Sequence, residues 1–145
     1  FMEYRYFMPL SKLNKQHVFS VWATGQFVTI GTVPYLNLPS IGWDQRSRSG
    51  KGYIQGLFRG QKMVYFETEY RFPISCNNLI SGTVFGNITS ASDKDRDIRL
   101  FQYFQPAVGI GLRVLIDKAT RTNLVLNYAW GRHSKAFYLN AGETF

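Results

Sequence analysis

The chain has 145 residues, a mass of 16.7 kDa, and 17 basic against 9 acidic side chains, a formal net charge of +8. That length fits one domain or a piece of a larger one. No stretch of 18 consecutive apolar residues occurs, which excludes a transmembrane helix. The lone Cys76 excludes an internal disulfide framework, a zinc knuckle and a C-x-x-C redox site. With 24 aromatic residues and little low complexity, disorder is not expected. Phe1 opens directly into strand-like sequence without a basic leader or an apolar h-region, so no signal peptide is expected. The positive balance admits nucleic acid, anionic lipid or acidic sugar as a partner and does not choose among them.

Helical periodicity is poor, whereas period-2 alternation runs long. Alternation predicts strands at about 2–9, 16–27, 61–73, 79–89, 103–117, 122–132 and 136–145. In the third, Val64, Phe66, Tyr70 and Phe72 share one face, and Glu67, Glu69 and Arg71 share the other. The fifth puts Phe104, Val108, Ile110, Leu112, Val114 and Ile116 opposite Gly109, Gly111 and Arg113. In the sixth, Leu124, Leu126, Tyr128 and Trp130 oppose Asn123, Val125, Asn127 and Ala129. The last sets Phe137, Leu139, Ala141 and Phe145 against Tyr138, Asn140, Gly142 and Thr144.

Strands of soluble sandwiches have about 5–6 residues, whereas a tilted membrane strand needs about 9–11. The polar face, rich in Gly, Asn, Arg and Glu, suits a wet or plugged lumen, and Tyr70, Phe72, Tyr128 and Trp130 suit interfacial girdles. Links at 10–15, 74–78 and 118–121 are tight, as periplasmic turns are. Seven strands would leave two open edges in lipid, which is not tolerated. The expected fold is therefore an all-β, transmembrane antiparallel β-barrel, of which residues 1–145 supply about seven C-terminal strands. A soluble all-β domain with long strands is the alternative.

The link at 28–60 is too long for a plain hairpin, and loops of that size are usually functional or disordered. It carries Val33-Pro34-Tyr35-Leu36, a basic run at Arg46 and Arg48, and then Lys51-Gly52-Tyr53-Ile54-Gln55-Gly56-Leu57-Phe58-Arg59. Glu69-Tyr70-Arg71-Phe72-Pro73 follows, with Val84-Phe85-Gly86-Asn87, Gly109-Ile110-Gly111-Leu112-Arg113 and Gly142-Glu143-Thr144-Phe145 further on. This series resembles the BamA-type bacterial surface antigen barrels over nearly the whole chain. In one branch of that family the sixth outer loop reads R-G-Y-x-x-G-x-x-R and precedes an E-Y-R-F-P strand. Five strands follow that loop in the family, and alternation counts five here.

The resemblance implies a 16-stranded bacterial outer-membrane barrel whose long loop, here 28–60, is directed into the lumen. Two departures stand out. Lys51 replaces the motif arginine, and Asn87 replaces the usual acid on the strand after E-Y-R-F-P. Lysine is a point charge without a fork, so the resemblance implies a weakened or re-routed lock among Lys51, Gly52, Tyr53, Glu69 and Asn87, with Glu69 the remaining carboxylate. Glu67, Arg71 and Arg113 supply further lumen charges. Phe137, Leu139, Gly142 and Phe145 match the terminal assembly signal, which Glu143 interrupts.

The implied function is assistance to insertion or translocation of other proteins, without enzymatic chemistry or a cofactor. Implied partners are outer-membrane lipid and lipopolysaccharide, the remainder of the barrel, and client proteins or periplasmic POTRA domains. Two alternatives are the membrane-anchoring barrel of a protein with an N-terminal patatin-like lipase domain and a passive pore.

Other candidates are weaker. His133 and Ser134 lie in an outer loop, and because neighbouring residues on a strand point to opposite faces they cannot pair side by side for catalysis. His17 has no clustered ligand partners, so no metal site is expected. Gly109 and Gly111 precede no helix and form no phosphate loop. Arg46, Arg48, Lys51, Arg59 and Lys62 with Tyr53 and Phe58 form a mixture that nucleic-acid binders use. The alternation around them argues instead for lipopolysaccharide contact or lumen plugging, so no nucleic-acid partner is expected.

Overall fold

The structure, a computed structural model, describes residues 1–12, 17–31, 33–43, 49–77, 79–92, 97–117 and 122–141. Seven strands form one antiparallel sheet in chain order: β1 (Met2–Pro9), β2 (Val18–Phe27), β3 (Lys62–Pro73), β4 (Ile80–Ala91), β5 (Gln105–Asp117), β6 (Thr122–Gly131) and β7 (Ser134–Ala141). The fold is all-β, and within this chain the sheet is open, with β1 and β7 as its edges. Each strand pairs with its sequence neighbour, across the long β2–β3 and β4–β5 links as well as across the short ones. A bulge between Leu115 and Asp117 shifts the β5–β6 register at one end.

Several boundaries differ by one or two residues from those that alternation predicts: the second strand starts at Val18 and not at 16, and the fourth runs to Ala91 and not to 89. The fifth strand starts at Gln105 and not at 103. Phe101 adopts a left-handed backbone (φ 70°), and its N–H donates to Ser90 Oγ at 2.9 Å, so the segment ending at Phe104 is held as a turn. The last strand starts at Ser134, because His133, at φ 68°, completes a turn that pairs Gly131 with Ser134. Arg46, Arg48, Gly142, Glu143, Thr144 and Phe145 lie outside the described residues.

Register keeps side-chain parity constant across the ladder, so the two faces are continuous. The row Ala23–Phe66–Ile88–Pro106 lies on one face, as does the row Val84–Ile110–Tyr128–Phe137. This face is bare: Phe66, Val84, Ile88, Val108, Ile110, Leu112, Phe137 and Leu139 are exposed. The opposite face carries Trp22, Tyr65, Glu67, Glu69, Phe85, Asn87, Ala107, Arg113, Val125, Asn127 and Ala129, all buried.

Much of what buries that face is the segment between β2 and β3. A 3-10 turn at Tyr35–Asn37 leads into an isolated antiparallel bridge, Ser40 with Arg59. Around that bridge the Ile41 N–H donates to the Phe58 carbonyl (2.9 Å), and the Gly60 N–H to that of Pro39 (3.0 Å). The loop thus satisfies part of its own backbone, as a segment laid against protein must. Ile41 and Tyr53 pack on Met63 and Ala107, with Phe58 and Ala91 at the margin. Thr83 and Asn127, whose face alternation reads as wet or plugged, are buried here.

Candidate functional site

The site is a cluster of charges between loop and sheet. Glu67 and Glu69 are two apart on β3, so both point to the covered face. Pairing sets Asn87 opposite Glu67, Phe85 opposite Glu69, and Thr83 opposite Arg71. On β5, Arg113 lies opposite Ser81. Four strand-borne charges therefore share one patch before the loop contributes anything.

The loop adds Lys51. A turn closed by the Tyr53 N–H on the Gly50 carbonyl, at 3.0 Å, directs the side chain inward. Lys51 is 4% exposed; Glu67 and Glu69 are 0% and 1%. The ammonium lies 2.5 Å from Glu67 Oε1 and 3.4 Å from Glu69 Oε2. It also sits 4.6 Å above the Phe85 ring, where the negative π face attracts a cation. Glu69 Oε1 accepts from Arg71 Nε at 2.5 Å and from Arg113 Nη2 at 2.6 Å, and Arg113 Nε donates to Thr83 Oγ1 at 3.1 Å. Glu67 also accepts from the Tyr65 hydroxyl. Three cations thus surround two carboxylates with hydrogen bonds on both, the condition under which buried charge is tolerated.

Asn87 has a different role from an acid at its position. Its Nδ2 donates to the Lys51 carbonyl at 2.9 Å, so it binds loop backbone and leaves the ammonium to β3. Of the two carboxylates, Glu67 stands nearer to Lys51 than Glu69, which the sequence alone singled out. A single ammonium with three donors reaches both without the planar fork an arginine would need.

Gly52 and Tyr53 continue the contact onto the far strands. Gly52 has φ 98°, and a Cβ there would stand 2.8 Å from Ala107 Cβ and 3.2 Å from Gly131 N. Only glycine both adopts that backbone and lets it approach the wall so closely. The Gly52 N–H donates to the Tyr138 hydroxyl at 2.9 Å, and the Gly52 carbonyl accepts from the Ser134 hydroxyl. Tyr138 Oη donates to the Tyr53 carbonyl at 3.2 Å. The Tyr53 hydroxyl donates to the Pro106 carbonyl at 2.5 Å and accepts from the Arg132 N–H at 3.1 Å. Tyr53 therefore reads the edges of β5 and the β6–β7 turn.

Tyr138 was not singled out from sequence, and Ser134 was weighed only as a catalytic neighbour of His133. The available signal was a tyrosine on the polar face of the last strand. Phe137 and Leu139 lie on the bare face, away from the cluster. His17 Nδ1 lies 2.8 Å from the Tyr70 hydroxyl, at the tight-turn end. Cys76 is exposed in the β3–β4 turn.

As chemistry, the arrangement is a clamp. It fixes a loop to a sheet by charge, backbone hydrogen bonds and an aromatic core. Comparison with protein-family models, curated proteins and solved structures gives no match to this chain.

Proposed function

We propose that these seven strands are the C-terminal portion of a BamA-type bacterial outer-membrane barrel that assists the insertion or translocation of other proteins. In this reading the bare face meets lipid and the loop occupies the lumen. The supporting observation is the asymmetry of the sheet. One face carries exposed apolar side chains on every strand, on β2 only at Phe27, while the other mixes polar and apolar side chains that are buried or half-buried from β2 to β7. An exposed apolar surface of that extent marks a membrane or an interaction site. The span is adequate: Lys62 to Phe72 is ten residue steps, roughly 33 Å along the strand at about 3.3 Å each. At a tilt of about 40° that is about 25 Å of height, the apolar band of outer-membrane barrels.

The test begins with location. The intact protein should fractionate with the outer membrane and migrate differently in gels before and after heating. Cysteines at Val108, Ile110 and Leu112, in a Cys76→Ser background, should resist water-soluble thiol reagents in native membranes and react in urea. Purified protein in proteoliposomes should then accelerate assembly of a second barrel protein. Recovery in the soluble fraction would overturn the membrane reading. Steady ion conductance without assembly activity would establish a passive pore instead.

A further inference from the structure

The edge strand β7 has eight residues and one ladder partner, β6. Among the described residues, every side-chain hydrogen bond from β7 goes to Gly52 or Tyr53 of the loop. Tyr138 Oη stands between the two, accepting from the Gly52 N–H at 2.9 Å and donating to the Tyr53 carbonyl at 3.2 Å. The Ser134 hydroxyl donates to the Gly52 carbonyl. One residue upstream, Lys51 holds Glu67 and Glu69 of β3, and its carbonyl accepts from Asn87 of β4. Gly52 lies against Ala107 of β5 and Gly131 of β6, and the Tyr53 hydroxyl bonds Pro106 and Arg132 beside them. Three consecutive residues therefore touch five consecutive strands.

On a flat sheet β3 and β7 are four spacings apart, about 19 Å at roughly 4.8 Å each. Three residues of extended chain reach about 11 Å at most. The Lys51 and Tyr138 side chains supply the difference, one from each end, so the span stands only while both are engaged. The other edge is built within its own strand pair: Glu3 accepts from Trp22 Nε1 at 2.9 Å, and the Arg5 guanidinium lies 5.3 Å from the centre of that indole. We infer that residues 51–53 form a strap that couples the charge cluster on β3 to the order of the edge strand β7, with Tyr138 as its far anchor. The docked strap gives β7 a second set of partners. Release leaves β7 on one ladder, with the few contacts that favour local opening. Such coupling is reciprocal, so a strand pairing along the free edge of β7 tightens the loop by the factor with which the loop orders β7. The inference does not rest on the membrane reading, because the same contacts act in the soluble all-β alternative.

Amide hydrogen exchange, read by mass spectrometry on the intact protein, compares wild type with Lys51→Met, Tyr138→Phe and the double variant. Nicking between Gly50 and Gly60 by a non-specific protease is measured alongside. Tyr138→Phe removes two hydrogen bonds and keeps the ring, so exchange in β7 should rise about ten-fold, and loop nicking should rise with it. Lys51→Met alters no atom of β7, yet β7 should exchange faster there too, while β1 keeps its wild-type rate. The double variant should exchange in β7 no faster than the faster single variant, because one strap is lost only once. Faster nicking of Lys51→Met with β7 at its wild-type rate would overturn the coupling. Equal acceleration in β1 and β7 would overturn it as well, since that marks general loosening. If Lys51→Met does not fold, Tyr138→Phe decides alone, and unchanged loop nicking in that variant sinks the strap.

Discussion

Lys51 joins a loop to a sheet through one ammonium and two carboxylates, all buried. Removing one partner of a buried pair leaves the rest uncompensated and typically costs about 3–5 kcal/mol. Lys51→Met should therefore release the loop, which limited proteolysis between Gly50 and Gly60 will register as faster nicking. The second variant, Glu67→Gln, keeps a hydrogen-bonding group for Tyr65 and removes charge. Lys51→Met combined with Glu67→Gln should be less damaging than the sum of the two, with a coupling of about 1–3 kcal/mol. Strict additivity in a double-mutant cycle would show that the ammonium gains nothing from Glu67. Gly52 offers a check that leaves charge untouched. Gly52→Ala meets both the positive φ and the contact with Ala107, so it should loosen the same loop by about 1–3 kcal/mol. Unchanged proteolytic protection of that variant would argue against close docking.

At the scale of the elements, β5 shows how parity partitions roles. Val108, Ile110 and Leu112 are exposed, while Ala107 and Arg113 are buried. Ile110→Lys places a charge in the middle of the bare face. In lipid that substitution should cost about 2–4 kcal/mol, falling toward zero near the interfaces. The cost is read as a lowered denaturant midpoint for the folded protein in detergent-free bilayers. Val108→Lys, closer to the rim of Trp130 and Lys135, should be milder. If the two variants cost the same in bilayers, depth in lipid is not what this face senses. The strands were legible in sequence because alternation is a local property, and here the runs were long enough to count. The start of β5 was less legible, because the Ser90 hydroxyl that holds Phe101 out of the strand sits on another element.

The whole molecule is a sheet with two unpaired edges and one exposed apolar face. Open edges and apolar faces both invite association in water. Residues 1–145 produced alone without lipid or detergent should therefore sediment as oligomers or aggregates, and lipid vesicles should suppress this. A monodisperse, cooperatively unfolding monomer in plain buffer would favour the soluble all-β alternative.

The chain's alternation by itself determined the number of strands, their order of magnitude in length and which residues share a face. Those properties need only a period of two and the links between strands. The likeness of Lys51-Gly52-Tyr53 to a loop motif directed attention to one stretch of a long link. Only the tertiary structure decided what that stretch touches. Lys51 meets Glu67 across 16 residues of sequence, and Gly52 meets Tyr138 across 86. Such partners depend on ladder register and on the path of the loop, neither of which leaves a local trace. The same reason explains Asn87. As a residue type it reads as a missing charge; in three dimensions it accepts the loop by donating to the Lys51 carbonyl, because the carboxylates sit one strand away.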